Sequence, residues 1–202
     1  MEEQLYRIVS QGEGVFKDRG SRFLGFAFPV RDIGQVEQAI QSIKKTYHDA
    51  RHHCTAYRLG DRTQTSYAND DGEPSHSAGT PILGAIRSLQ LTDTLVVVVR
   101  YFGGTKLGVR GLIEAYRTAA ELALEEAQKQ EIVHRVHFLL RFGYERTSAL
   151  NRIMHPFEFD LVSADYTDIC EQHFAVKEEI FPQVQASLQR EQFVPKILEV
   201  NE

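Results

Sequence analysis

The chain has 202 residues, of which 42% are hydrophobic and 25% charged, with a formal net charge of −5; this balance suits a folded protein and excludes a largely disordered one. The longest strongly apolar run, Leu95–Val99, falls far short of the roughly 20 residues that cross a bilayer, and the acidic start Met1-Glu2-Glu3-Gln4 lacks the basic and apolar parts of a secretion signal. Two distant cysteines, Cys54 and Cys170, in no metal-type spacing, complete the expectation of a cytoplasmic protein with buried thiols and no membrane partner.

In chain order, Tyr6–Val9 and Ser21–Val30 have strand character, the second alternating Phe23, Gly25, Ala27 with Leu24, Phe26, Phe28. Gly12, Gly14 and Gly20 read as punctuation between them. Asp32 is placed to cap a helix carrying Ile33, Val36, Ala39, Ile40 and Ile43 at helical spacing. His52–Leu59 returns to strand, with Arg62–Tyr67 as its hairpin partner and a polar loop over Ala68–Gly79. Thr80 before Pro81 has the order of an N-cap and a first-turn proline. Leu95–Val99 is β-branched and without alternation, which predicts a strand buried on both faces. A long helix over Leu107–Gln128 follows, with Leu112, Ala115, Tyr116, Ala119, Leu122 and Ala123 as its core stripe.

The pattern then starts afresh as strand 131–142, helix 146–154, strands 157–163 and 169–177, helix 178–190 and strand 194–200. That β-α-β-β-α-β order predicts a ferredoxin-like domain. The expected domains are 1–128, of α/β or α+β class, and 129–202, of α+β class. Residues 1–128 hold 15 Lys+Arg and 16 Asp+Glu, while 129–202 hold 8 and 12, so the acidity sits mainly in the second. Overall acidity argues against whole-surface binding to nucleic acid, and any anion site has to be local.

One segment concentrates the features of such a site. Arg100-Tyr101-Phe102-Gly103-Gly104-Thr105-Lys106-Leu107-Gly108-Val109-Arg110-Gly111 joins the buried strand to the long helix. Glycines allow positive φ and close approach to a ligand, and the first N–H groups of a helix lack intrahelical partners. Arg100, Gly103, Gly104, Lys106, Gly108 and Arg110 are therefore the candidate anion- or nucleic-acid-binding residues. Lys106 and Arg110 stand where the helix dipole disfavours cations by roughly 0.3–1 kcal/mol each, a conflict that a bound anion removes; the alternative is a plain tight turn with Arg110 paired to Glu114. The spacing matches neither a P-loop nor a dinucleotide fingerprint, which disfavours ATP and NAD.

Asp70, Asp71 and Glu73 lie within four residues and have the chemistry of divalent-cation ligands or general bases, although Asp71-Gly72 equally supplies a solvated turn and the spacing is not that of a calcium loop. His52 and Cys54 would share one strand face and His53 the other, so the three cannot converge on one metal. Cys54 reads as core, and His52 and His53 join the three carboxylates as secondary catalytic candidates. Neither a metal nor another cofactor is implied.

Ala50-Arg51-His52-His53-Cys54, then Asp70-Asp71-Gly72-Glu73-Pro74 with Ala78-Gly79-Thr80-Pro81, then Val99-Arg100-Tyr101-Phe102-Gly103-Gly104-Thr105-Lys106-Leu107-Gly108 together closely resemble the YigZ/IMPACT family, bacterial YigZ-like members included. The resemblance covers residues 1–128 by motif and the remainder by pattern and size. It implies a first domain like domain 2 of ribosomal protein five of the small subunit, and a second like a C-terminal domain of elongation factor G. The family's eukaryotic relative is a translational regulator that binds a ribosome-associated activator of a stress kinase. No catalytic residue is carried over, and after the Glu-Pro element this chain has His76-Ser77 where many bacterial members read Gly-Thr. The resulting expectation is an RNA- or ribosome-associated modulator of translation, with a protein partner on the second domain. The alternatives are an enzyme acting on a phosphorylated substrate, which needs the carboxylates and the 100–110 segment in one cleft, and a protein-binding adaptor.

Overall fold

The computed structural model describes residues 4–198; Met1–Glu3 of the acidic start and positions 199 and 200 of the last predicted strand lie outside the described residues. The chain divides into two compact units, one running through Ile132 and the other starting at Val133.

In the first unit the elements are β1 (Tyr6–Ile8), β2 (Gly12–Asp18), β3 (Ser21–Pro29), α1 (Ile33–Thr46), β4 (His52–Leu59), β5 (Thr65–Asn69), α2 (Gly79–Ser88), β6 (Leu91–Thr92), β7 (Thr94–Tyr101), α3 (Gly108–Glu126) and β8 (Lys129–Glu131). Five strands pair in the order β2-β3-β7-β4-β5, every neighbour antiparallel. Strand β7 is central because its side chains suit burial on both faces. Leu95, Val97 and Val99 pack with Val36 and Ile43 of α1, while Val96 and Val98 pack with Ile82 and Ile86 of α2 and Leu112, Tyr116 and Ala119 of α3. Asp32 caps α1 as expected, accepting the N–H of Gln35 at 2.8 Å.

Two glycines expected to punctuate the chain instead build a strand. Gly12 and Gly14 lie in β2, directly under α3: a Cβ at Gly12 would stand 2.1 Å from the Ala123 carbonyl oxygen, and one at Gly14 2.6 Å from the Ala123 nitrogen. Gly25 of β3 is as tight, 2.2 Å from the Ala119 oxygen. The alanine stripe of α3 thus rests on bare backbone, and the glycines serve close approach rather than turning.

Other boundaries shift for local reasons. The partner of β4 starts at Thr65 rather than Arg62, with Leu59 opposite Thr65 and Thr55 opposite Asn69. Helix α2 begins at Gly79 with Ala78, whose own side chain cannot cap, at the cap position, so Thr80 lies inside the helix. Lys129–Glu131 belongs to the first unit: it pairs with β1, and the Ile132 N–H donates to Leu5 O at 2.9 Å. The first unit therefore runs four residues past the expected 128/129 boundary.

The second unit has β9 (Arg135–Phe142), α4 (Thr147–Met154), β10 (Phe159–Tyr166), β11 (Cys170–Lys177), α5 (Phe181–Arg190) and β12 (Lys196–Leu198). Its sheet order is β10-β11-β9-β12, all antiparallel, and the β-α-β-β-α-β succession agrees with the hydropathy pattern. Phe138, Leu140 and Phe174 of the sheet pack with Leu150 of α4 and Val184 and Leu188 of α5 in a core of their own. No helix of the described residues is long and apolar enough to cross a membrane.

Candidate functional site

The segment after β7 turns on glycine. A Cβ at Gly103 would fall 1.8 Å from the Gly20 carbonyl carbon, and the Gly103 N–H donates to Ser21 Oγ at 3.1 Å, so this position clamps the turn to the β2–β3 hairpin. Gly104 and Gly108 have φ of +89° and +72°, which L side chains rarely adopt. Helix α3 then starts with Leu107 as N-cap, without a side-chain cap and without an acidic residue in its first turn. Its first N–H groups are left for solvent or a ligand.

The acidic loop folds back onto the same end of the sheet, and its three carboxylates part company. Asp70 accepts the N–H groups of His76 at 2.8 Å, Ala78 at 3.0 Å and Gly79 at 2.8 Å, replacing the expected Thr80 cap at the start of α2. Burial raises its pKa, but these backbone donors together outweigh burial and hold it below the ordinary carboxylate range. The Asp71 carboxylate accepts the His53 N–H at 2.7 Å. Its carbonyl lies 2.8 Å from His52 Nδ1; a carbonyl only accepts, so His52 carries its proton on Nδ1. Glu73 Oε1 accepts from Arg100 Nη1 at 2.6 Å and from the Tyr116 hydroxyl at 2.8 Å. Among the described residues no three His, Cys, Asp or Glu side chains are grouped to hold a metal, and the divalent-cation reading of this loop is not supported by the geometry.

Arg100 is not the surface clamp that its position beside the glycines predicts. It is 7% exposed, with its guanidinium 5.5 Å from the ring centroids of both Phe23 and Phe102. Its Nε is buried with no hydrogen-bond partner, a state that costs about 1–3 kcal/mol. Behind the ion pair, burial pushes the Cys54 thiol up to about 12 and the Tyr116 hydroxyl far above its usual value. Cys54 donates to Asp70 O at 3.0 Å. These are the properties of a structural thiol, in keeping with its reading as core. His53 is on the opposite face, with Nε2 3.0 Å from Tyr47 O.

The two motifs meet in one cleft of about 660 Å³, lined by Glu73 and Pro74 from the acidic loop, Arg51 and His52 at the start of β4, and Arg100, Phe102, Lys106, Leu107 and Gly108 from the glycine segment. Asp49 and Tyr101 close one side: the Tyr101 hydroxyl donates to Asp49 at 2.7 Å, holding that carboxyl below its usual range. Val109 and Leu112 add apolar wall. Lys106 and Arg51 reach the cleft with no ion-pair partner among the described residues, whereas Arg110 is exposed and outside the lining. Arg110 also makes no ion pair with Glu114 among the described residues. Sequence patterning missed Asp49, Tyr101 and Phe102 as lining residues and took Tyr116 as plain core. A buried tyrosine hydroxyl needs a partner, and that requirement was the available signal for Tyr116.

Comparison with known proteins covers both units. The family described as the Impact N-terminal domain matches residues 19–124. The "IMPACT family member YvyE" of Bacillus subtilis is 35% identical over 185 residues, 88% of this chain and 75% of that protein. The "IMPACT family member YigZ" of Escherichia coli is 29% identical over 148 residues, 72% of each. The "Protein IMPACT homolog" of Dictyostelium discoideum is 32% identical over 108 residues, 52% of this chain and 30% of that longer protein. A crystal structure of a hypothetical protein shares the fold, with a TM-score of 0.63 and 24% identity over the whole of both chains.

Proposed function

The chain belongs to the IMPACT family, and from that premise we propose that it is an RNA- or ribosome-associated modulator of translation whose first unit holds phosphate at the start of α3. The observation that carries this reading is the uncapped N-terminus of a 19-residue helix with no acid in its first turn, opening on a cleft beside Lys106 and Arg51. Such an end has a partial positive charge and N–H donors free for an anion. Arg100 supports the site from below, and Arg110 contributes only long-range attraction. The first unit is read as ribosomal-protein-five domain-2-like and the second, from its strand order, as ferredoxin-like. The acidic second unit is assigned to a protein partner, by analogy of fold and charge.

The test is a salt titration of binding to purified ribosomes and to short single- and double-stranded RNA. Lys106→Ala/Arg51→Ala should weaken binding and flatten the salt slope by about 0.7–0.9 for each phosphate no longer neutralised, while Arg110→Ala changes it less. An unchanged slope in the double variant removes the cleft from the RNA interface. One observation favours a second reading, an enzyme acting on a phosphorylated substrate: Glu73 and Lys106 line the same cleft. Binding of small phosphorylated metabolites in place of RNA would favour it.

A further inference from the structure

Phe102 follows the buried central strand, yet it is 55% exposed. A single exposed aromatic is ordinary on a protein surface. Here, though, the ring is part of a concave wall with Leu107, Val109 and Leu112, and the Arg100 guanidinium lies 5.5 Å from its centroid. The cleft thus offers an aromatic face supported from within, an apolar wall and, at one edge, the start of α3 with Lys106.

The charges facing the cleft leave room for one anion. Glu73 is neutralised by Arg100, while Asp49 accepts from the neutral Tyr101 hydroxyl and keeps its negative charge, so the unpaired Lys106 and Arg51 exceed the unpaired carboxylate of the lining by one positive charge. Arg100 is nine-tenths buried in the cleft wall, and while its Nη1 pairs with Glu73 its Nε lacks an acceptor. Buried donors without partners are rare enough that each calls for a reason, and a binding site is one.

We infer that the cleft receives one unstacked ribonucleotide of an RNA strand, its base on the ring of Phe102 and its phosphate at the N-terminus of α3 beside Lys106. This rests on the RNA reading above and specifies which part of the RNA is recognised. Within a duplex the base faces are covered by their neighbours, so no π-face is available to Phe102; single strands, loops and ends expose one. Stacking on an aromatic ring accepts any base.

The experiment is fluorescence anisotropy on the full chain with four probes: a labelled single-stranded RNA, its duplex, a strand of equal length with every site abasic, and a phosphorylated non-nucleotide competitor such as ribose 5-phosphate. The single strand should bind at least tenfold more tightly than the duplex and the abasic strand. Phe102→Ala should weaken single-strand binding about 5- to 100-fold, and Phe102→Leu, which keeps an apolar cover over Arg100, should lose as much. Phe102→Tyr should retain binding. Equal affinity for the abasic strand, or full binding by Phe102→Leu, overturns base stacking while leaving phosphate-based RNA association intact. Absence of any RNA binding by the unmodified protein overturns both.

Discussion

Glu73 Oε1 and Arg100 Nη1 lie 2.6 Å apart, with side chains 4% and 8% exposed, and they join the loop after β5 to the end of β7. Because the same oxygen accepts from Tyr116 of α3, one carboxylate holds together three segments that form the cleft. Removing one member of a buried pair leaves the other charged and uncompensated, at a typical cost of about 3–5 kcal/mol. Glu73→Gln should therefore shift the urea midpoint strongly, and the Glu73→Gln/Arg100→Met double variant should lose much less than the two single losses combined. Strict additivity would mean that the pair is not energetically coupled.

The glycines under α3 and the glycine within α2 should respond in opposite directions to the same change. Gly25→Ala places a methyl 2.2 Å from the Ala119 oxygen and should destabilise by about 1–3 kcal/mol or more, the usual range for overpacking. At Gly84 a Cβ meets its nearest neighbour, Arg117 Nη2, at 3.7 Å, so Gly84→Ala should stabilise by about 0.4–1 kcal/mol through helix propensity and a less flexible unfolded chain. Thermal unfolding of both variants checks the contrast.

Asp70 should give the protein an acid-sensitive cap. Its folded pKa lies below that of a free carboxylate, so its contribution is complete above the unfolded value of about 3.9 and is lost as pH falls through the lower, folded value. Asp70→Ala should cost about 0.5–2 kcal/mol at neutral pH, in line with the removal of other helix caps. Asp70→Asn should lower stability there and flatten the acid limb of the pH profile. Denaturant unfolding from pH 2 to pH 7 reads both effects.

Cys54 should be inert while the chain is folded. Burial raises its thiol to about 12, which leaves almost no thiolate at pH 8; Cys170 is buried as well. A thiol reagent at pH 8 should label neither cysteine in the native protein and both in denaturant. Rapid labelling of native Cys54 would contradict its structural role and return it to consideration as a nucleophile.

Local chemistry was enough for part of this structure. The unalternating run Leu95–Val99, the Asp32 cap and the β-α-β-β-α-β succession are properties of neighbouring residues, so periodicity and capping rules reach them directly. The motifs that converge on the cleft were likewise legible as segments, because glycine, charge and turn chemistry are visible at short range.

Tertiary structure alone decided what those residues do. Gly12 and Gly14 could not be separated from turn glycines until α3 was seen lying on them. Asp70 caps a helix that begins nine residues later because the loop folds back on itself, and Arg100 is buried in the cleft wall rather than exposed because Glu73, 27 residues away in the chain, meets it at 2.6 Å. Burial and pairing depend on which distant segments come together, and hydropathy along a single stretch carries no record of that distance.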